Sequence, residues 1–288
     1  MRQVPSIRIR HAVFCVALLL LCAISGTAEA ASLEKPALHI GIPPSIADTG
    51  MADAIGAALA EEKGIEIIWL RETASEILHQ NSSCDVDAII THMPEREKEF
   101  VENGFSQGWL ALFYSNYLLV GPAGNPDSIP THSSLEALQS IADAKLPFVS
   151  AIDDSALYDT ERFLWQLIQI PINTEDSWYI GAPAGKSSIL ERASEIKGYA
   201  LVEEWQWLEF EERNEENTGL EVLLKTDELL TNQYNLIILS QEQCPQVHLD
   251  LAREFAEWTF AHKTQTLFAS FRYHGRKLFY AMDPAVTQ

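Results

Sequence analysis

Apolar and polar positions along the chain follow two recurring patterns, one with the period of a strand and one with the period of a helix. The stretch Ala37 to Ile42 is typical of a short strand, and Met51 to Lys63 has apolar residues at helical spacing. Gly64 then supplies a natural helix C-cap before the strand Ile65 to Leu70. The order strand, helix, strand predicts an α/β unit with a largely parallel sheet.

The same alternation continues to the end of the chain, in two units. The other predicted helices are Thr73–His79, Glu95–Asn103, Ser134–Ala144, Asp159–Ile168, Ser187–Lys197, Leu249–Ala261 and Thr264–Phe271. The other predicted strands are Val86–Thr91, Tyr117–Val120, Pro147–Ser150, Trp178–Ile180, Tyr199–Val202, Leu220–Leu224 and Tyr234–Leu239. A stretch rich in glycine, proline, asparagine and aspartate from Gly121 to Pro130 indicates a boundary between the two units.

The first 30 residues have the three parts of a cleavable secretory signal peptide. Arginines precede an apolar run from Ala12 to Ile24, and small residues stand at Ala28 and Ala30, the positions that a signal peptidase reads. The apolar run is shorter than the roughly 20 residues that span a bilayer, so cleavage is favoured over a permanent anchor. The sequence therefore predicts a mature chain that is exported to the periplasm and is not embedded in the membrane.

The charge of the mature chain narrows the range of partners. The full chain has 20 Lys/Arg and 41 Asp/Glu. The signal segment contains three of the basic residues and one of the acidic residues, so the mature chain has 17 basic and 40 acidic residues and a net charge of -23. Nucleic acids and anionic lipid surfaces bind clustered cations, and a strongly negative field repels them. Nucleic acid is therefore excluded as a partner.

Two of the four cysteines leave with the signal segment, and Cys84 and Cys244 reach the oxidising compartment. Their presence as a pair predicts that they are close enough to be bridged, and the alternative is two buried, inert thiols.

Motifs for catalysis and for metal binding are absent from the sequence. The chain has no His-Glu-x-x-His, no paired Cys-x-x-Cys, no Gly-x-Ser-x-Gly and no phosphate-binding loop. The eight histidines are dispersed, and His92, after an apolar strand, is interpreted as a residue of the core or of the sheet end. We expect no catalytic residues, no metal and no cofactor.

Several short motifs occur in the order that one known family shows. They are Asp85-Val86-Asp87-Ala88 with His92, Val120-Gly121-Pro122, Pro147-Phe148-Val149-Ser150 with Asp153-Asp154-Ser155, and Phe271-Arg272 with Gly275. From about Leu38 to Phe279 the chain resembles the periplasmic substrate-binding proteins of tungstate-type ABC importers. The resemblance implies a type II-like periplasmic-binding-protein fold, with two α/β lobes around a ligand cleft. Its domains are a signal peptide (1–30), lobe one (31–119 and 231–288) and lobe two (120–230).

The resemblance also implies a set of ligand-binding residues. They are Ser45, Ser155, Lys186, Ser187, Ser188 and Tyr234. For the serines and Lys186, a structural role is the alternative to ligand binding. Ser45 with Asp48 is typical of a capping box, and Ser155 is typical of the N-cap of the next helix. The Lys186 region is typical of a capped helix start with a solvated ammonium group.

Four positions depart from the family pattern. Where the family has hydroxyl residues this chain has Pro43 and Pro44, and where it has arginines this chain has Ala151 and Glu204. The expected function is that of a periplasmic solute-binding protein, whose small solute sits in the cleft and whose partner is an ABC permease. These losses indicate a neutral, zwitterionic or less charged solute. The alternative is a sensor or scaffold module of the same fold, favoured by the Glu-rich stretch Glu203 to Glu216.

The signal-peptide interpretation predicts that the mature protein begins at Ala31. Edman sequencing or intact mass of the protein from a periplasmic fraction should give a chain that lacks residues 1–30. Exported protein that retains Met1 would contradict the interpretation.

Overall fold

The computed structural model describes residues 37–80, 84–182, 188–214 and 218–282 of the chain. The predicted signal segment (1–30) and two of the predicted site residues, Lys186 and Ser187, lie outside the described residues. Within the described residues, no helix has both the length and the apolar character needed to cross a bilayer.

The strands follow the predicted positions closely, except that Leu110–Pro122 and Thr231–Ile238 begin earlier than predicted and the three short strands from Arg272 onward were not predicted. They are β1 (Ala37–Ile42), β2 (Glu66–Arg71), β3 (Ala88–Thr91), β4 (Leu110–Pro122), β5 (Phe148–Ser150), β6 (Tyr179–Gly181), β7 (Tyr199–Glu203), β8 (Leu220–Leu224), β9 (Thr231–Ile238), β10 (Arg272–Tyr273), β11 (Arg276–Lys277) and β12 (Tyr280–Ala281). The helices are α1 (Pro44–Ala47), α2 (Met51–Lys63), α3 (Ala74–Gln80), α4 (Pro94–Glu102), α5 (Ser134–Asp143), α6 (Ala156–Leu167), α7 (Ser188–Ile196), α8 (Glu204–Arg213), α9 (Leu249–Thr259) and α10 (His262–Ser270).

The fold is mixed α/β and has the two-lobed arrangement of periplasmic binding proteins. In lobe one the strand order is β2-β1-β3-β9-β4, and in lobe two it is β4-β7-β5-β6. Strand β4 therefore belongs to both lobes. Its first part pairs with β9 up to Asn116, and from Tyr117 onward it pairs with β7 and β8. The lobe boundaries at 119/120 and 230/231 stay a prediction. The first lies within a few residues of the point where β4 changes partner, and the second coincides with the start of β9.

The prediction of a largely parallel sheet is only partly correct. The pairs β1–β2, β1–β3, β5–β6 and β5–β7 are parallel. Strand β4, which is shared by the two lobes, and strand β9 pair antiparallel with their neighbours. The sequence pattern indicated only Tyr117–Val120 as a strand in this region, because Asn116 and Ser115 interrupt the apolar run of the longer strand.

Cys84 and Cys244 form a disulfide in lobe one, with a Cα–Cα distance of 5.3 Å. This confirms the predicted proximity of the two cysteines. The bridge joins the segment before β3 to the segment before α9, which lie 160 residues apart in the sequence. A crosslink over so long a loop removes much conformational freedom from the unfolded chain.

A fully buried carboxyl group, Glu161 on α6, lies at the centre of lobe two. Its Oε1 accepts hydrogen bonds from the hydroxyl of Tyr179 (2.6 Å) and from the indole of Trp165 (3.1 Å). Burial raises the pKa of Glu161 to about 7, and the hydrogen bond from Tyr179 offsets part of that rise. The neutral acid is therefore the form that the packed lobe favours.

We expect the Cys84→Ser/Cys244→Ser variant to be less stable by about 2–5 kcal/mol, because the unfolded chain regains freedom when the loop is opened. Thermal unfolding should show a midpoint lower by roughly 5–15 °C. Reduced wild-type protein should match the variant, and thiol titration of denatured, unreduced wild type should find no free thiol. A variant as stable as oxidised wild type would contradict the expectation.

Glu161 gives a pH dependence with a definite sign. The unfolded carboxyl loses its proton near its ordinary pKa of 4.5, whereas the folded one keeps it until about 7. The native state thus binds more protons between these values, and its stability falls as pH rises through this window by about 3 kcal/mol for this group. Glu161→Gln should flatten the slope in urea unfolding at pH 4.5–7.5. The exposed Glu99→Gln serves as the control, and equal slopes in Glu161→Gln and wild type would refute the assignment.

Candidate functional site

A cleft of about 410 Å³ lies where the carboxyl ends of the parallel strands of both lobes meet. In lobe one it follows the ends of β1, β2 and β3, and in lobe two those of β5, β6 and β7. Its described lining residues are Pro43, Pro44, Ser45, Thr73, Ala74, His92, Ala151, Ile152, Asp153, Ser155, Ala156, Leu157, Ala182, Ser188, Ile189, Glu203, Trp205 and Gln206. Ligands of open α/β sheets bind at this edge, so the cleft is the candidate site.

A second cavity, of about 440 Å³, is slightly larger but lies elsewhere on lobe one. It is lined by the segment 106–110, by the end of β9 and by the start of α9, including Arg253. Its lining residues all belong to lobe one, and the starts of several helices do not meet there as they do at the cleft. Because the position at the strand ends is a stronger indication of a ligand site than volume, we assign the site to the inter-lobe cleft.

Three of the predicted ligand residues, Ser45, Ser155 and Ser188, line the cleft together. Ser45 comes from lobe one, and the other two come from lobe two. Tyr234 is fully buried and is absent from the lining: its ring stacks on His92 at a centroid distance of 4.8 Å. The structure thus brings three serines to one surface and places the tyrosine behind it.

Ser45 does not cap a helix, so the predicted capping box with Asp48 is wrong. Helix α1 begins at Pro44, whose fixed φ suits a first helical position, and Pro43 is the N-cap. Ser45 therefore lies inside the first turn, and Asp48 accepts hydrogen bonds from Arg71 at 2.6 and 2.7 Å. The Ser45 side chain is left to face the cleft.

Ser155 does cap a helix, as its structural interpretation predicted. Its hydroxyl accepts a hydrogen bond from the backbone N–H of Tyr158 at 3.2 Å and donates to Asp153 at 2.5 Å. Asp153 also lines the cleft, so a carboxylate and a hydroxyl are presented together. Capping and solute contact are compatible roles for Ser155.

Glu203, at the end of β7, is the cleft residue that the sequence analysis missed. Its Oε2 lies 3.4 Å from both the Asn232 side-chain nitrogen and the Tyr234 hydroxyl. Burial raises the pKa of Glu203, and the positive character of His92 partly offsets the rise. The sequence signal was the carboxylate directly after an apolar strand, a position that points to the cleft in this fold.

Glu204, in contrast, points away from the cleft. Its carboxylate pairs with Lys225 and accepts a hydrogen bond from Asn116 at 2.7 Å. The aligned arginine of the family has therefore become a residue outside the cleft, and the carboxylate that reaches the cleft is its neighbour Glu203. The prediction that Glu204 places a carboxylate beside the solute is therefore wrong.

Two buried donors belong to residues of the cleft lining and form no well-formed hydrogen bond to any described residue. They are the hydroxyl of Ser45 and the indole N–H of Trp205, whose side chains are 2% and 4% exposed. Burial raises the pKa of both Tyr234 and Glu203, and the nearby Ser45 hydroxyl and Trp205 indole, respectively, offset part of that rise. An unpaired buried donor costs about 1–3 kcal/mol, which a solute with acceptor atoms would recover.

Three helices of lobe two begin at the cleft. The first residues of α6 and α7 belong to its lining, as does Glu203, the N-cap residue of α8. Each helix start carries unpaired N–H groups and about half a positive charge, and both favour acceptor atoms of a ligand. Among the described lining residues none is a lysine or an arginine. Positive potential in the described cleft therefore comes from backbone dipoles.

Comparison with known proteins places this geometry in a family. The sequence profile of the PBP superfamily domain matches residues 45–263. The tungstate-binding protein TupA of Desulfovibrio alaskensis has a solved structure that superposes with a TM-score of 0.81 at 30% identity, over 86% of this chain and 99% of that one. The chain belongs to the PBP superfamily, in its tungstate-type group.

Two further similarities agree with this assignment. The tungstate-binding protein TupA of Campylobacter jejuni is 25% identical over 232 residues, which cover 81% of this chain and 86% of that protein. The structure of the tungstate ABC transporter protein from Geobacter sulfurreducens superposes with a TM-score of 0.70 at 22% identity. The superposition covers 82% of this chain and 98% of that one, so the two proteins share the fold. These relatives are binding proteins.

In this PBP-superfamily chain the two lobes are also joined directly beside the cleft, through Arg96 on α4. Its guanidinium pairs with Asp154 and, at 3.1 Å, with Asp159, both from lobe two. Asp154 also accepts a hydrogen bond from Ser75 of lobe one. The hydrogen bond with Arg96 and that from Ser75 lower the pKa of Asp154 to about 2. The ion pairs therefore persist at any ordinary pH.

Arg96→Ala should shift the protein towards an open arrangement of the lobes. Asp154 is 68% exposed and solvent screens the pair, so we expect a loss of about 1 kcal/mol, or roughly a fivefold change in the ratio of closed to open forms. Small-angle X-ray scattering should report a larger radius of gyration.

Lys98→Ala on the same helix is the matched control, because Lys98 pairs only within α4, with Glu102 at 4.0 Å. Identical scattering from Arg96→Ala and Lys98→Ala would show that Arg96 does not hold the lobes together.

Proposed function

We propose that this protein is the periplasmic solute-binding component of an ABC importer. The observation that carries the proposal is the solute-sized cleft between two lobes, which is lined by serines from both lobes, by the starts of helices and by two residues with unpaired buried donors. The tungstate-binding relatives support the same role. The protein carries its solute to a permease in the inner membrane and catalyses no reaction.

The described cleft fits a solute with less negative charge than tungstate. An enclosed dianion needs donors and positive charge to replace its lost hydration. Here Asp153 and Glu203 bring carboxyl groups to the lining, Ala151 brings no charge, and Pro43 and Pro44 remove two backbone donors. Lys186, outside the described residues, is the one cation of the predicted ligand set. The balance favours a neutral or zwitterionic solute that places acceptor atoms at Ser45 and Trp205.

Loading proceeds by closure of the two lobes around the solute. Strand β4 passes from one lobe to the other, and the chain returns to lobe one just before β9, so small rotations at these two crossings move the lobes as rigid bodies. Arg96 then adds a contact that forms only when the cleft is shut. A permease distinguishes the closed, loaded form from the open form by the relative position of the lobes.

The Glu-rich stretch no longer favours the sensor or scaffold alternative. Its Trp205 and Trp207 are 4% and 5% exposed, so neither offers an apolar anchor to a partner protein. Helix α8 uses both indoles for packing inside the fold. If the protein binds no small solute in any assay, the result would favour the sensor or scaffold function.

The solute class is tested by calorimetry with tungstate and molybdate, and by thermal shift with oxyanions, amino acids, sugars and metal cations. We expect no submicromolar binding of either oxyanion, because loss of three charged or donor contacts costs roughly 1.5–3 kcal/mol each. A solute from another class should raise the unfolding midpoint. A submicromolar dissociation constant for tungstate would refute the charge argument and leave the transport role intact.

Glu203→Gln tests which side chain sets the charge preference. For a solute that carries a positive group, the change should weaken binding at least about tenfold, because the substitution removes the buried carboxylate. The exposed Glu212→Gln on α8 is the control and should bind as wild type. Equal affinity in Glu203→Gln and wild type, with a cationic or zwitterionic solute, would exclude Glu203 from the site.

A further inference from the structure

A second cluster of polar side chains lies in lobe one, at the end of the sheet opposite to the cleft. Asp87, just before β3, is buried, with a side chain that is 5% exposed. Its Oδ2 accepts a hydrogen bond from the backbone N–H of His39 at 2.8 Å, and its Oδ1 accepts one from that of His248 at 2.7 Å. The main chain therefore fixes the orientation of this carboxylate from both sides.

The imidazoles of the same two histidines also face Asp87. The Nδ1 of His39 is 3.5 Å from Oδ2, and the Nδ1 of His248 is 3.1 Å from Oδ1. One ligand atom from each of the three residues lies within 4.8 Å of the other two. The side chains of His39 and His248 are 39% and 57% exposed, so the group opens to solvent on one side.

These distances suit a bound metal ion. Ligand atoms at about 2.0–2.2 Å from a tetrahedral metal are roughly 3.3–3.5 Å from one another. The two histidines approach different oxygens of Asp87 at 3.5 and 3.1 Å, and one atom from each residue lies within 4.8 Å of the others, so small side-chain adjustments would bring three ligands around one ion. Imidazole nitrogens with one carboxylate select zinc and its neighbours in the first transition row over calcium and magnesium, which require mainly oxygen ligands. We propose that His39, Asp87 and His248 form a binding site for a divalent transition-metal ion, with water in the remaining position.

The disulfide holds the parts of this site together before any ion binds. Cys84 precedes Asp87 by three residues, and Cys244 precedes His248 by four. The side chain of Gln246 also donates to the backbone carbonyl of Cys84 at 2.9 Å. Because the two segments are tied at these points, the metal site is preorganised, and binding an ion need not order either segment.

The bound ion would have a structural role distinct from solute binding. His39 stands near the start of β1, three residues before its end at Ile42, so at about 3.3 Å per strand residue it lies roughly 10 Å from the strand end that the cleft follows. An ion would connect β1, the start of β3 and the start of α9. The sequence analysis expected no metal site because it considered only motifs of closely spaced residues. His39 and Asp87 are 48 residues apart and Asp87 and His248 are 161 residues apart, so such motifs cannot detect these ligands.

The test uses the tag-free mature chain after treatment with EDTA. Calorimetry with zinc chloride should show one equivalent bound, and cobalt chloride should give visible absorption bands of a site with nitrogen ligands. Zinc should also raise the unfolding midpoint, whereas magnesium and calcium should not. Absence of stoichiometric binding of zinc and of cobalt would overturn the proposal.

Variants assign the binding to these residues. His39→Ala and His248→Ala should each weaken zinc binding at least about tenfold while leaving the metal-free unfolding midpoint within a few degrees of wild type. His132→Ala/His262→Ala changes two exposed histidines elsewhere and should bind zinc as wild type. Zinc binding that survives both single substitutions, or that is lost equally in the control, would show adventitious binding only.

Discussion

One strand, β4, sets the geometry on which the site depends. Its first part is hydrogen-bonded within the sheet of lobe one and its second part within the sheet of lobe two. Because this backbone is common to both sheets, the carboxyl ends of the parallel strands of each lobe are brought to the same edge. The strand ends then place Ser45, Ser155 and Glu203 around one cleft, although no two of them are close in the sequence.

The electrostatics of the cleft follow from this convergence. Helix starts supply N–H groups and partial positive charge without the strong desolvation cost of a buried cation. The carboxyl groups of Asp153 and Glu203 oppose that potential, and the raised pKa of Glu203 reduces its own negative charge. A site of this kind recognises a solute by hydrogen bonds to acceptor atoms.

The sequence predicted the fold well because its elements are local. Helix α2 and strands β1 and β8 have the bounds that periodicity indicated, and Gly64 caps α2 in the left-handed conformation. The ligand-binding residues were harder to predict than the fold, because a residue contributes to the site only if its side chain points into the cleft, and that depends on where the helix begins. Pro44 moved Ser45 into the first turn, and a one-residue difference decided that Glu203 faces the cleft while Glu204 pairs with Lys225. Long-range pairs such as Arg96 with Asp154 carry no local signal.

The central claim is that this cleft selects its solute by hydrogen bonding and not by cationic charge. Its most direct test is native mass spectrometry of the protein isolated from bacterial periplasm without unfolding, followed by identification of the solute released on denaturation. We expect a neutral or zwitterionic molecule in one-to-one ratio with the protein. A retained tetrahedral oxyanion such as tungstate would contradict the account.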